Sequence, residues 1–509
     1  MLEACTVAYA GYAENAAVFM RGNSSLSLKN SALRNAYGAG LRVETDDTSL
    51  VSSGNTFENN TLCGVRLGCN ASWTDTTSSF SGNPFDILVE GGTINREVTW
   101  QLNPPFTFGI GQGDIVVSAE GILNIMPDTL IKFTQYLSLY VAGRLNAPGS
   151  ADAPIYFTDS RDDSIGTDIG QDGTATTPAP GWWRGIQVRN AGTATMNHCT
   201  VAYAGYAENA AIFMNGTGSL ALNNSTLRDT YGAGLRVEAG YTALESSGNS
   251  FENNTISGVR VAANASWTDT TSAFSGNRYD VLLEGGAITR EVTWQLNPPY
   301  TLCVGLSDVL LGGEGVLTIM PDTIIKFNQY LSMYVDGRLN ALGSADAPLY
   351  FTDSRDDSIG TDIGQDGDAT APSPGWWRGI QIRGAGSASM RHCIVAYGGY
   401  AEGAGIYLRG LGALTLSDTV IRNTAGAGLR LDADCAEVAS TNNVFADNAD
   451  GVRLGINASW VDTSSTFTGN LYDVALDGGT ITEEVTWQLN PLYAFCLTSG
   501  DITVGADGV

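Results

Sequence analysis

Three observations predict an all-β solenoid: a repeat of 194 residues, a shorter rhythm of strand-like segments inside it, and no ten-residue window that reads as helix. The expected architecture is a single-stranded right-handed parallel β-helix of about 21 coils. The right hand is expected from the general preference of crossovers between parallel strands.

The long repeat is read directly. Cys5-Thr6-Val7-Ala8-Tyr9 returns as Cys199-Thr200-Val201-Ala202-Tyr203 and again as Cys393-Ile394-Val395-Ala396-Tyr397, both steps being 194. Trp100-Gln101-Leu102-Asn103-Pro104 returns at Trp294 and, one residue early, at Trp487. The missing residue lies where Phe251 to Gly258 shortens to Phe445 to Gly451. The chain therefore reads as one continuous solenoid over 1–509, with super-repeats of approximately 1–181, 182–375 and 376–509. Met1 and Val509 both fall inside a coil, so we expect a piece of a longer protein.

Within each copy the rhythm is roughly 20 to 25 residues, the length of one coil. Leu331 to Leu339 alternates apolar and polar residues, as a strand with one buried face does. In Ile325-Lys326-Phe327 the same alternation makes Lys326 point out. Turn signals punctuate the strands: Pro321-Asp322, Gly248-Asn249, Asn253-Asn254 and Gly285-Gly286. Asn249, Asn253 and Asn254 align with Asn55, Asn59 and Asn60, which predicts asparagines serving the coil corners.

Four phrases carry a family resemblance: Gly315 to Phe327, Gly337 to Ser344, Ala347 to Asp353, and Gly375-Trp376-Trp377-Arg378-Gly379-Ile380. With the Asn/Gly-rich coils that follow, they resemble the right-handed parallel β-helix repeats of secreted and cell-surface bacterial or archaeal proteins, of pectin-lyase-like fold. The resemblance covers essentially the whole chain. It implies the fold, and as functions it implies adhesin-like surface proteins or polysaccharide lyases and hydrolases, between which fold does not choose.

Composition narrows the partners. There are 53 acidic against 26 basic residues, for a net charge of −27. A nucleic-acid or anionic-membrane partner needs a basic face, so neither is expected. No run approaches the roughly 18 apolar residues of a membrane helix. Only three residues are lysine: Lys29, Lys132 and Lys326. Of the eight cysteines, Cys63, Cys69 and Cys435 stand outside the repeat; Cys63 and Cys69 are near enough in sequence to bridge or to stay free.

The most suggestive constellation is an acidic loop. Residues 151–173 recur at 345–367 with 22 of 23 identical. The loop offers Asp162, Asp163, Asp168 and Asp172, then Asp356, Asp357, Asp362 and Asp366. Clustered carboxylates with Gly breaks suit a hard cation such as Ca²⁺, although the spacing is not that of an EF-hand. The bland alternative is a solvated loop whose aspartates cap turns, with Arg161 and Arg355 as counter-charges. Two Trp pairs follow, Trp182-Trp183 and Trp376-Trp377. Neighbours in a strand face opposite sides, so one of each pair is expected outward, where it either stacks on a sugar ring or shields its own loop. The other tryptophans read as packing residues.

Catalytic signals are thin. His198 and His392 sit beside Cys199 and Cys393, on opposite faces of a strand, and the first copy has Ala4 instead. No catalytic residue is assigned. The functional expectation is a non-enzymatic secreted or cell-surface repeat protein, structural or adhesive, whose partners are surface glycans or proteins. The alternatives are a carbohydrate-binding array, with or without Ca²⁺, and a polysaccharide lyase or glycoside hydrolase.

Overall fold

The computed structural model describes residues 1–44, 49–238, 240, 243–367, 369–432 and 437–509; Cys435 lies outside them. The chain is an all-β, single-stranded right-handed parallel β-helix of about 20 turns. Among the described residues there is no helix, and none is therefore long and apolar enough to cross a membrane. The chain divides into two compact units: Met1–Val259 with Thr271–Asn277, and Arg260–Thr270 with Arg278–Val509.

Most turns contribute three short strands. In the first unit Gly185–Asn190, Thr193–Asn197 and Cys199–Ala202 make one turn, and Ala210–Gly216, Ser219–Asn223 and Thr226–Arg228 the next. Each strand of the first of these turns pairs in parallel with its equivalent in the second. In the second unit Ser332–Val335, Arg338–Leu342 and Leu349–Asp353 pair in the same way with Gly379–Ile382, Ser387–Arg391 and Cys393–Ala396.

Parallel register stacks like on like. Ile131 lies on Phe157, Val201, Leu227 and Phe251 in succession, each buried to 1% exposure or less. Leu123, Leu145, Ala194 and Leu220 form a second inward column. No single coil could bury these faces, so the core exists only because neighbours stack. The five described cysteines that are buried, Cys63 and Cys69 among them, are free thiols in this core. Burial pushes Cys63 up to about 12, which keeps it a neutral apolar group.

The corners are held by asparagine. Asn249 accepts the Ser225 backbone N–H at 2.9 Å and donates to the Leu222 carbonyl at 2.9 Å. Asn55 and Asn443 do the same one super-repeat away on either side. Asn253 and Asn59 instead take the left-handed backbone conformation, with φ of 52° and 55°. Removing the amide at Asn249 strands a buried donor and a buried acceptor. Asn249→Ala is expected to destabilise the protein by about 1–3 kcal/mol in urea unfolding, whereas Asn253→Gly changes little because glycine accepts positive φ. Equal effects of the two would contradict this account of the corners.

Candidate metal centre

The acidic loop leaves the solenoid at the end of strand Ile155–Asp159 and is fixed by its first carboxylates. Asp159 is fully buried; it accepts the Arg161 guanidinium at 2.7 and 3.2 Å and the Ala179 N–H, across the base of the loop, at 3.2 Å. Asp162 is also buried, and its two oxygens accept the hydroxyls of Thr158 and Ser164 at 2.7 and 2.5 Å. Asp353 and Asp356 repeat these roles in the second unit.

From there the loop folds back over earlier turns. Thr167 donates its hydroxyl to the buried carboxylate of Asp86 at 2.5 Å, and Asp86 also accepts the Thr107 N–H at 3.0 Å. Gly166 crosses at φ 69°; a Cβ there would stand 2.6 Å from Thr107 Cγ2, so only glycine allows the approach. Ile169 is the apolar foot of the loop, 9% exposed. In the second unit Thr361 bonds Asp280, and Ile363 is the foot. Burial pushes the Asp86 and Asp280 carboxyls above their ordinary range, against the hydrogen bonds that favour their charged form.

Beneath the loop lies a lysine. Lys326 does point out of its strand, as alternation demands, yet it is fully buried because the loop covers that face. Its Nζ donates to the Thr361 carbonyl at 2.7 Å and lies 3.8 Å from Asp357. Lys132 occupies the same place under the first loop and donates to the Thr167 carbonyl at 2.7 Å. Burial lowers both lysine pKa values, while the loop carboxylates oppose the shift.

The loop gathers three carboxylates above each lysine. Oxygens of Asp163, Asp168 and Asp172 lie within 4.8 Å of one another, as do those of Asp357, Asp362 and Asp366. Each cluster could hold a metal ion: two ligands on opposite sides of a hard cation, at bonds of about 2.4 Å, are about 4.8 Å apart. Asp162 and Asp356 do not join them. Their oxygens accept Thr and Ser hydroxyls inside the loop, so in each copy three of the four expected aspartates are brought together. Both carboxylate oxygens of Asp163, and one each of Asp168, Asp357, Asp362 and Asp366, are shut off from solvent without a hydrogen bond. Three carboxylates over one ammonium leave an excess of negative charge. Desolvation first, and then the neighbouring Asp168, raise the Asp163 carboxyl; at Asp357 desolvation and Asp362 raise it while Lys326 pulls it down.

The Trp pairs divide as alternation requires, but the inward member is out of reach of any ligand. Trp183 and Trp377 are fully buried, stacked on Phe133 and Phe327 at 4.1 and 4.2 Å, and donate to the carbonyls of Ala202 and Ala396. The expectation of a ligand-binding role is corrected for these two. Trp182 and Trp376 are half-buried, and each carries a guanidinium, from Arg161 or Arg355, 3.5 Å above its ring. The outward Trp thus braces the base of the loop.

Sequence reasoning passed over Lys132, Lys326, Asp86 and Asp280. The signal for the lysines was present: two of three lysines in the chain share one position, one turn before the loop. The aspartates lie 81 residues upstream of their threonines, and only the fold joins them.

The raised carboxyls set a pH dependence. A folded-state pKa above the ordinary 3.8 means that the folded protein holds the proton more tightly than the unfolded chain. Their contribution to stability is therefore lost as pH rises from 3.8 through the raised values. In chelator, Asp163→Asn/Asp357→Asn should gain stability relative to wild type as pH rises towards neutrality, followed by thermal melts. A constant difference across that range would contradict the charge crowding.

Comparison with known proteins supports the architecture. Residues 157–278 and 378–484 match the family described as Right handed beta helix region. No curated protein matches the chain. The protein has the right-handed parallel β-solenoid fold of the pectin-lyase-like β-helix family.

Proposed function

We propose that the protein is a non-enzymatic β-helix repeat scaffold, secreted or displayed at a cell surface, that serves a structural or adhesive role and binds Ca²⁺ in its acidic loops. The observation that carries this reading is the recurrence of one triad, Asp163-Asp168-Asp172, as Asp357-Asp362-Asp366, 194 residues on. Function repeated at this spacing suits a scaffold better than a single catalytic groove. The donor set is oxygen only, which favours a hard cation over zinc or copper. Three carboxylates on a bendable, Gly-broken loop suit Ca²⁺ better than Mg²⁺, which demands near-ideal octahedral geometry and keeps several of its waters. An ion would offset the excess charge above each buried lysine and pin the loop to the turns it crosses. Sites with three protein carboxylates and solvent-completed shells fit the weak affinities of extracellular modules, roughly 10⁻⁴–10⁻³ M. The net charge of −27 supports partners other than nucleic acid, such as surface proteins or glycans.

Calorimetric titration of metal-free protein with CaCl₂ should give two ions per chain, one for each cluster, and a melting temperature that rises with Ca²⁺. Asp168→Asn should remove one ion; in chelator it should melt no lower than wild type, because it relieves repulsion and keeps the acceptor for the Gly173 N–H. A melting temperature indifferent to Ca²⁺ and chelator would sink the cation reading. Incubation with polygalacturonate and alginate should release no unsaturated or reducing ends; release of either would contradict the non-enzymatic reading.

A further inference from the structure

Each acidic loop crosses four consecutive strands of one sheet and then returns to its start. In the first unit these are Phe85–Glu90, Thr107–Ile110, Leu130–Phe133 and Ile155–Asp159. In the second they are Tyr279–Leu283, Leu302–Val304, Ile324–Phe327 and Leu349–Asp353. The base is firm: Arg161 and the Ala179 N–H tie both ends of the first loop to the buried Asp159. The far end is held by less, the Thr167 hydroxyl on Asp86 and the Ile169 foot. The limb that returns from the foot supplies slack. Residues 170–177 are exposed throughout. Among the described residues, the hydrogen bonds of 171–178 stay within the loop: Gly173 N–H to Asp168 at 2.8 Å, Ala175 N–H to the Asp172 carbonyl at 3.2 Å, and the Thr176 hydroxyl to Asp172 at 2.9 Å. Gly170 and Gly173 bracket Asp172 at φ 99° and 65°, each with open space where a Cβ would stand.

The triad joins the outgoing limb to the returning one. Asp163 and Asp168 belong to the first and Asp172 to the second, yet their oxygens lie within 4.8 Å of one another. Beneath them the Lys132 side chain has no exposure to solvent. Three carboxylates against one ammonium leave two negative charges, and one divalent cation makes the count neutral. Lys326 under Asp357, Asp362 and Asp366 gives the same count. Both oxygens of Asp163 and one of Asp168 are shut off from solvent without a hydrogen bond, so no such bond offsets that charge. Repulsion among carboxylates this close is strong where water is excluded. It pushes the limbs apart against one hydroxyl bond and one apolar foot.

We propose that each acidic loop is a strap that Ca²⁺ closes over a buried lysine. With the ion held between the limbs, the strap lies on the sheet and seals Lys132 or Lys326 beneath it. Without the ion the carboxylates part, the strap lifts about its base, and the lysine amine meets solvent. This rests on the cation reading above and adds a regulated state to it. The four strands under each strap keep their pairing in both states, because their ladders do not run through the loop. What changes with Ca²⁺ is access to one amine per loop. Two of the three lysines in the chain lie under straps, and the third, Lys29, lies outside both and is half-buried.

The test is acetylation of the full chain by N-hydroxysuccinimide acetate, in CaCl₂ or in EDTA at equal ionic strength, with each lysine followed by peptide mass spectrometry. Calorimetry on the same protein gives the Ca²⁺ Kd. At a Ca²⁺ concentration about ten times Kd, Lys132 and Lys326 should label about tenfold more slowly than in EDTA, and the slowing should grow in proportion to further Ca²⁺. Lys29 should label alike in both, and circular dichroism should not change. Asp172→Asn keeps the acceptor for the Thr176 hydroxyl; it should abolish the Ca²⁺ dependence at Lys132 and leave that at Lys326 intact. Ca²⁺ that binds without slowing the labelling of Lys132 and Lys326 would overturn the strap and leave the cation reading standing, whereas absence of Ca²⁺ binding would overturn both. Labelling in EDTA that comes only with loss of the β spectrum, or protection of Lys132 that survives Asp172→Asn, would also overturn the strap.

Discussion

Parallel pairing at one turn's separation puts each residue directly on its equivalent in the next turn, and the remaining features follow from that register. The column Ile131, Phe157, Val201, Leu227 and Phe251 is continuous because no turn slips by a residue. A slip of one would send the whole inward set to solvent. The asparagine columns serve the same constraint at the corners, where Asn249 ties its own turn to Ser225 and Leu222 of the turn before. Like-on-like stacking also explains why the sequence repeats: a residue that fits at one level fits at the next.

The acidic loop is an excursion that register permits. Chain can leave between Ile155–Asp159 and Gly185–Asn190 because the strands on either side still find their neighbours in the stack. Once outside, it has to be held, and it is held by Asp86 to Thr167, by the Ile169 foot and by Arg161 on Asp159. Covering the sheet buries Lys132, and a buried ammonium calls for negative charge nearby. The loop supplies more than one carboxylate. The excess is what makes a structural cover a candidate cation site, and the same loop base carries Trp182 beneath the Arg161 guanidinium.

Much of the fold was legible in the sequence because its determinants are local and periodic. Strand alternation, Gly/Asn turns and the 194-residue echo all report the solenoid directly. The asparagine corners were legible for the same reason. The site was legible only as composition. Asp162 and Asp163 are neighbours of one residue type, yet Asp162 turns into the loop to meet Thr158 and Ser164 while Asp163 faces Lys132. Which way each turns depends on what lies underneath, a residue some 30 positions earlier. Lys326 shows the limit of alternation: it gives the direction of a side chain, but not whether a loop later in the chain will cover it. The pairing of Tyr136 with Tyr206 across an intervening turn is likewise a property of the stack alone.

The central claim is that the two loops are cation sites built on one plan. Anomalous diffraction from crystals soaked in a lanthanide that substitutes for Ca²⁺ tests it most directly. The account predicts one peak among the oxygens of Asp163, Asp168 and Asp172 and an equivalent peak among those of Asp357, Asp362 and Asp366. Ions found elsewhere, or at neither loop, would contradict it.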